Sequence, residues 1–268
     1  MTDTHSSSLH LGSHGEHYGN WMSPPVLVLF GALAGLSAVL SVLALVMLRV
    51  PLLALLCSVV TAALLALVAW MIWIHRQYAF DGGGVMEQVH DALLTALDFD
   101  GEGTILDVGC GSGALSIRAA LAWPQARVIG VDQWQKVYGY SQQRCTHNAA
   151  SEGVGGRCLF LKDDARKLSL PDNSVDAVIS NYVFHNITGI DKQALVRESL
   201  RVLKKGGVFA INDTMKPRLY GNLDTFAQSL RAAGFSEVRI IDTSKILGNP
   251  LRATLLMLGS SKMLVGRK

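Results

Sequence analysis

Leu106-Asp-Val-Gly-Cys-Gly-Ser-Gly113 joins a short apolar run, Thr104–Val108, to a helical stretch, Ala114–Ala122. Glycines 109, 111 and 113 let the backbone approach a ligand closely and turn tightly into the helix. Their spacing is GxGxG, which is neither the GxGxxG of dinucleotide binders nor the GxxxxGK[ST] of phosphate-binding loops. Asp107 stands two residues before the first glycine, where a carboxylate repels a pyrophosphate and attracts a cation. Both details argue against a nucleotide-dependent oxidoreductase. Working outward, the further strand candidates are Arg127–Val131, Cys158–Lys162, Val175–Ser180, Val208–Asn212, Val238–Asp242 and Lys262–Gly266. Helical stretches at Gln135–Ser151, Lys192–Leu203 and Leu223–Ala233 alternate with them. This alternation predicts an α/β fold, a mostly parallel seven-stranded sheet covered by helices on both faces. Its ligand should sit beyond the carboxyl ends of the strands, where the strand order reverses.

Other residues cluster at those strand ends. Asp132 closes the second strand, nineteen positions after Gly113, placed to accept both hydroxyls of a ribose. Asp163-Asp164-Ala165 follows the third strand, where an acid and adjacent backbone can meet an adenine amine. Leu170-Pro-Asp-Asn-Ser-Val-Asp-Ala-Val-Ile-Ser180 and Leu203-Lys-Lys-Gly-Gly-Val-Phe209 complete the set. As an ordered combination, these segments from about Val85 to Lys268 resemble the class I S-adenosylmethionine-dependent methyltransferases of small-molecule type. The resemblance implies a Rossmann-like sheet whose last strand runs antiparallel, and S-adenosyl-L-methionine as cofactor. It implies that Asp107, Gly109, Cys110, Gly111 and Gly113 line the methionine part. Asp132 would hold the ribose, Asp164 and Ala165 the adenine, and Asn181 would lie beside the methyl-donor face. After Asp132 the chain departs from the family's small polar residues with Gln133-Trp-Gln-Lys136. Gln133 and Trp134 are placed with the cofactor contacts, Trp134 either covering the adenine or packing as a core aromatic.

Methyl transfer from a sulfonium is an in-line displacement that needs alignment, a dry site and a base for a protic nucleophile. Acceptor residues in this family usually follow the fourth strand, here Ser180-Asn-Tyr-Val-Phe-His-Asn186. His185, Tyr182 and Asn186 are the candidate catalytic residues, His185 as base or acceptor-binding donor, or else as a cap at the strand end. Asp213, ending the fifth strand, is a candidate for the pocket rim. The segment is not the [DN]PP[YF] of amino-methylating enzymes that act on DNA and protein.

Ahead of this domain the chain changes character. Val26 to Ile74 is 49 residues with one charged side chain, Arg49. A single helix of that length would measure roughly 73 Å, over twice a hydrocarbon core of about 30 Å. Leu48-Arg-Val-Pro51 supplies the break, since proline removes a donor and Arg49 prefers the headgroup region. The reading is a transmembrane hairpin, 26–48 and 52–74, entered at Pro24-Pro25 and anchored at its exit by Trp70, Trp73, His75 and Arg76. No Lys or Arg precedes Val26, which argues against a cleaved signal peptide. Gly31-Ala-Leu-Ala-Gly35 matches GxxxG, so this face packs on the second span, or joins two copies as a homodimer through Gly31 and Gly35. Residues 1–25 read as a polar, flexible tail carrying His5, His10, His14 and His17. Residues 75–103 read as linker and lid helix, with Gly82-Gly-Gly84 a hinge or a turn off the membrane, and residues 104–268 as the catalytic domain.

Composition narrows the function classes. The chain has 268 residues, half of them hydrophobic and 17% charged, which excludes disorder. The net charge of +3, without a Lys/Arg cluster, gives no sign of nucleic acid as partner. Four separated cysteines without a CxxC pair argue against zinc and a disulfide framework, and no metal is expected. Ile246–Leu258 is unusually apolar for a segment between two strands, fit to rest on a bilayer or a second protomer. The expected partners are therefore the lipid bilayer and a lipophilic small-molecule acceptor: a lipid headgroup, a quinone-like compound, or a hydrophobic thiol or amine. The N-terminal motif expected of quinone C-methyltransferases is absent, which disfavours that subclass. The catalytic domain is expected on the cytoplasmic side. The competing expectation is a membrane-tethered cofactor sensor or scaffold without turnover.

Overall fold

A computed structural model of the chain describes residues 18–19, 24–80, 82–135 and 139–268. They divide into two compact units, residues 20–83 and residues 84–268, the second joined by the segment that holds Tyr18 and Gly19.

The first unit is a helical hairpin. Helix α1 spans Pro24–Val46 and α2 spans Pro51–Tyr78, so α1 stops two residues before the expected end and α2 runs four residues further. Arg49 takes a left-handed conformation in the turn (φ +53°). Pro51 opens α2, where its missing N–H leaves no donor orphaned. Both helices are long and apolar enough to cross a membrane. Their seam is made of small and hydroxyl side chains: Ala34 and Ala44 are buried, Ser37 Oγ donates to the Cys57 carbonyl at 3.1 Å, and Ser41 Oγ to that of Ala54 at 3.0 Å. Such bonds hold apolar helices together where burial of Leu against Leu gains little. The seam corrects one alternative for Gly31 and Gly35, because nothing lies within 4 Å of a Cβ built on either; the GxxxG face is not what packs on α2. Gly82 and Gly83 close the turn after α2. Gly83 N donates to the Arg76 carbonyl at 2.9 Å, and a Cβ on Gly82 would meet that carbonyl at 2.2 Å.

The second unit is a seven-stranded sheet with helices on its faces. Its elements are α3 (Val85–Ala96), β1 (Gly103–Val108), α4 (Ala114–Ala122), β2 (Ala126–Asp132), α5 (Gln142–Ser151), β3 (Cys158–Lys162) and β4 (Val175–Asn181). They continue with α6 (Lys192–Arg201), β5 (Leu203–Thr214), α7 (Pro217–Tyr220), α8 (Leu223–Ala232), β6 (Ser236–Ile241), α9 (Pro250–Leu255) and β7 (Ser261–Arg267). The order is β3-β2-β1-β4-β5-β7-β6. The first five are parallel, and β7 runs antiparallel between β5 and β6. Central strands covered on both faces are apolar along their length, as Val175, Ala177–Ile179 and Val208–Ile211 show by their complete burial. One expected boundary is corrected: α5 begins at Gln142, not near Gln135. Ser141 sets it, its hydroxyl accepting the Arg144 N–H at 3.2 Å as an N-cap. α3 is fixed to α4 by Arg118, 1% exposed, which pairs with Asp91 and lies 3.8 Å from Glu87.

Candidate cofactor and acceptor site

The strand order reverses between β1 and β4, so the loops after these two strands open a crevice at their carboxyl ends. The glycine loop follows β1. Gly109, Gly111 and Gly113 all take positive φ (+77°, +56° and +85°), where a side chain is strained. At Gly109 the constraint is also steric, since a Cβ there would come within 2.3 Å of Val183 from the β4 loop. The two loops therefore touch across the crevice.

Asp107 lies beneath this loop, 1% exposed, its carboxylate accepting the Ser116 hydroxyl at 2.6 Å. Burial raises its pKa to about 7 with help from the charge of Asp132, against the lowering effect of the Ser116 bond. Asp132 is held by backbone. Gly111 N donates to Oδ2 at 2.9 Å and Trp134 N to Oδ1 at 2.7 Å, and each oxygen keeps a lone pair for a hydroxyl. Trp134 takes φ +47° and its indole N–H donates to the Gly111 carbonyl at 2.8 Å. It is thus neither a core aromatic nor loose; it braces the loop. Gln133 is half-buried beside it. Cys110 turns its thiol inward, 7% exposed, and burial and the neighbouring Cys145 push its pKa up; only its backbone belongs to the loop surface. After β3, Asp163 is spent on its own turn, accepting Asp164 N and both Ser169 donors, while Asp164 and Ala165 stay half-exposed. Two acids beside a glycine loop suit a ligand with a cationic end and a diol, which S-adenosylmethionine is.

The β4 loop carries the acceptor candidates. Asn181 Oδ1 accepts Asn212 Nδ2 at 2.8 Å. Tyr182 takes φ +55°, a strained conformation of the kind found where a site imposes geometry. Its hydroxyl meets Ser261 Oγ at 2.7 Å, in a network with Thr243 and Asn212. Burial raises its pKa, so it stays a phenol. Asn186 is exposed and turned back on the Tyr182 carbonyl at 3.3 Å. His185 differs. Its Nδ1 is bonded to Asp213 Oδ1, and its backbone N donates to Asp213 Oδ2 at 2.8 Å. Asp213 is 0% exposed and also accepts the Tyr220 hydroxyl. Burial and that carboxylate keep Tyr220 protonated. This corrects the rim placement of Asp213: it sits behind His185, whose side chain is 27% exposed. With Nδ1–H given to the carboxylate, Nε2 is left as the basic nitrogen.

Sequence reasoning missed Tyr220, Asn212, Thr243, Ser261 and Ser116. They are single hydroxyls and amides scattered over 145 positions, and no spacing links them before the sheet is assembled.

Residues 106–211 match the family model described as methyltransferase domain. The chain carries a class I, S-adenosylmethionine-dependent methyltransferase domain. It is 33% identical over 118 residues to a sterol 24-C-methyltransferase of Aspergillus fumigatus, covering 44% of this chain and 29% of that one. It is 28% identical over 172 residues to 27-O-demethylrifamycin SV methyltransferase of Amycolatopsis mediterranei, covering 63% and 61%. The chain thus spans less than two thirds of these relatives' lengths. Among solved structures, phosphoethanolamine N-methyltransferase 2 of Haemonchus contortus, in complex with S-adenosyl-L-methionine, superposes with a TM-score of 0.52. It is 18% identical, covering 67% of this chain and 52% of that one. That likeness concerns the fold of the methyltransferase domain.

Proposed function

We propose that this chain is a membrane-anchored methyltransferase that moves the methyl group of S-adenosylmethionine to a lipophilic or membrane-resident small molecule. Lipid headgroups, quinone-like compounds and hydrophobic thiols or amines are the candidate acceptors. The observation that carries the reading is the His185–Asp213 pair, set at the end of β4 where Val183 meets the glycine loop. The cofactor, when bound, supplies a methyl group made electrophilic by its sulfonium.

Everything else is asked of the protein. Asp107 attracts the cationic end, the glycine loop lines it, and Asp132 holds the ribose. Asp213 fixes the His185 ring and tautomer from a buried position, so that Nε2 can take a proton from the acceptor as its nucleophile attacks. A positioned base of this kind contributes about 10²–10⁴-fold. Tyr220 Oη and Thr214 N also donate to Asp213 and fix its carboxyl group in place. The anchor is argued from the two apolar helices, whose outward side chains, such as Val28 at 71% and Leu52 at 66%, are exposed. A lipophilic acceptor accords with relatives whose names are those of sterol and rifamycin methyltransferases.

The test is turnover by the full chain in its native membranes, given methyl-labelled cofactor. Wild type should label a product. His185→Ala should bind cofactor normally and label at least a hundredfold more slowly. Binding without turnover in the wild type would favour the sensor or scaffold.

A further inference from the structure

The segment ahead of the first apolar helix reads from the sequence as solvated tail, yet Tyr18 is 4% exposed. Its hydroxyl donates to Glu152 Oε1 at 2.9 Å, at the carboxyl end of α5. Gly19 follows with φ +69°, and a Cβ built on it would lie 2.9 Å from Tyr140 Cε1 and 3.7 Å from Arg144 Nη1. The opposite edge of the same Tyr140 ring faces the glycine loop: a Cβ on Gly111 would lie 3.5 Å from Cδ2 and Cε2. The Tyr140 ring is therefore held between two glycines, one from the tail and one from the loop that also bonds Asp132 and Trp134. Only glycine fits the tail side, since a side chain there would meet both the ring and an unfavourable φ.

We propose that Tyr18 and Gly19 form a clamp that seats Tyr140 on the glycine loop, so that cofactor retention depends on the residues preceding the hairpin. The proposal rests on reading that loop as the cofactor cradle. Its physical basis is preorganisation: a loop braced before binding loses less freedom on closing around a ligand. Tyr18, Gly19 and Tyr140 are positioning residues here, acting through Gly111.

The test is calorimetric binding of S-adenosylmethionine and S-adenosylhomocysteine to the full chain in detergent. Tyr18→Phe removes one oxygen and should weaken binding about three- to tenfold, the value of one hydrogen bond. Glu152→Ala should do the same, and the double variant should be no worse than either single one. Glu152→Gln keeps an acceptor oxygen and should restore wild-type affinity, a rescue that general loss of stability would not give. Gly19→Ala should also weaken binding by displacing Tyr140. Wild-type affinity in both Tyr18→Phe and Gly19→Ala would overturn the clamp. No binding by the wild type would instead overturn the cradle reading, and the clamp with it.

Discussion

Asp107 and Asp132 face one loop from below and beside it, and their environments set them different tasks. Asp132 is offered to a diol. Asp132→Ala should weaken cofactor binding by about 1–3 kcal/mol, because it leaves two ribose hydroxyls without an acceptor; calorimetry measures this directly, and NAD should not bind in either form. Asp107 keeps a proton up to about pH 7 because it is buried. A cation must displace that proton, so cofactor affinity should fall as pH drops below about 7, by up to tenfold per unit. Asp107→Asn should bind weakly and flatten that dependence. The same shift has a stability consequence of opposite use. The native carboxyl holds its proton where the unfolded one, near 3.9, has lost it, so the ligand-free domain should lose stability as pH rises from about 4 to about 7. Both acids were legible in the sequence because each sits at a fixed distance from a glycine pattern. The link from Asp213 to His185 was not, since the two are 28 positions apart and meet only when β5 pairs with β4.

At the scale of elements, what was legible was whatever a strand or helix declares by its own pattern. All seven strands fall within a few residues of their expected places, because buried parallel strands are short apolar runs bounded by turns. The start of α5 was missed because a lone glycine, Gly139, is tolerated inside a helical pattern, and the cap that decides it, Ser141, looks like any serine. The lid reading of α3 meets a more rigid arrangement, with Arg118 tying that helix to α4. Gly109→Ala brings a Cβ into Val183 at a positive φ. It should cost more than a loop glycine in open space, such as Gly153, where nothing lies within 4 Å. Thermal melts of Gly109→Ala and Gly153→Ala should separate by several degrees, and cofactor binding should be lost only in the first.

For the whole molecule, no pattern in the sequence signals that Tyr18 and Gly19 fold with the methyltransferase domain. Tyr18 and Gly19 precede the hairpin and Val85 follows it, yet all three belong to the same unit. A hairpin inserted into one domain leaves and re-enters on one side, so the tail and the domain should share the cytoplasm, where the cofactor is made. A cysteine replacing Ser6 should resist an impermeant thiol reagent in intact cells. Because Tyr18 and Gly19 belong to the domain, replacing residues 24–80 with a soluble linker should keep cofactor affinity within about twofold, whereas removing residues 1–83 should lower it by the clamp's share. Tethering would then act on the acceptor alone, by raising its effective concentration. The claim that the acceptor is lipophilic is tested most directly by following the label. The full chain in liposomes made from a membrane lipid extract is given methyl-labelled S-adenosylmethionine, and the label is partitioned between organic and aqueous phases before mass spectrometry. The account predicts a methylated product in the organic phase that disappears in His185→Ala. Label recovered solely in water-soluble product would contradict it.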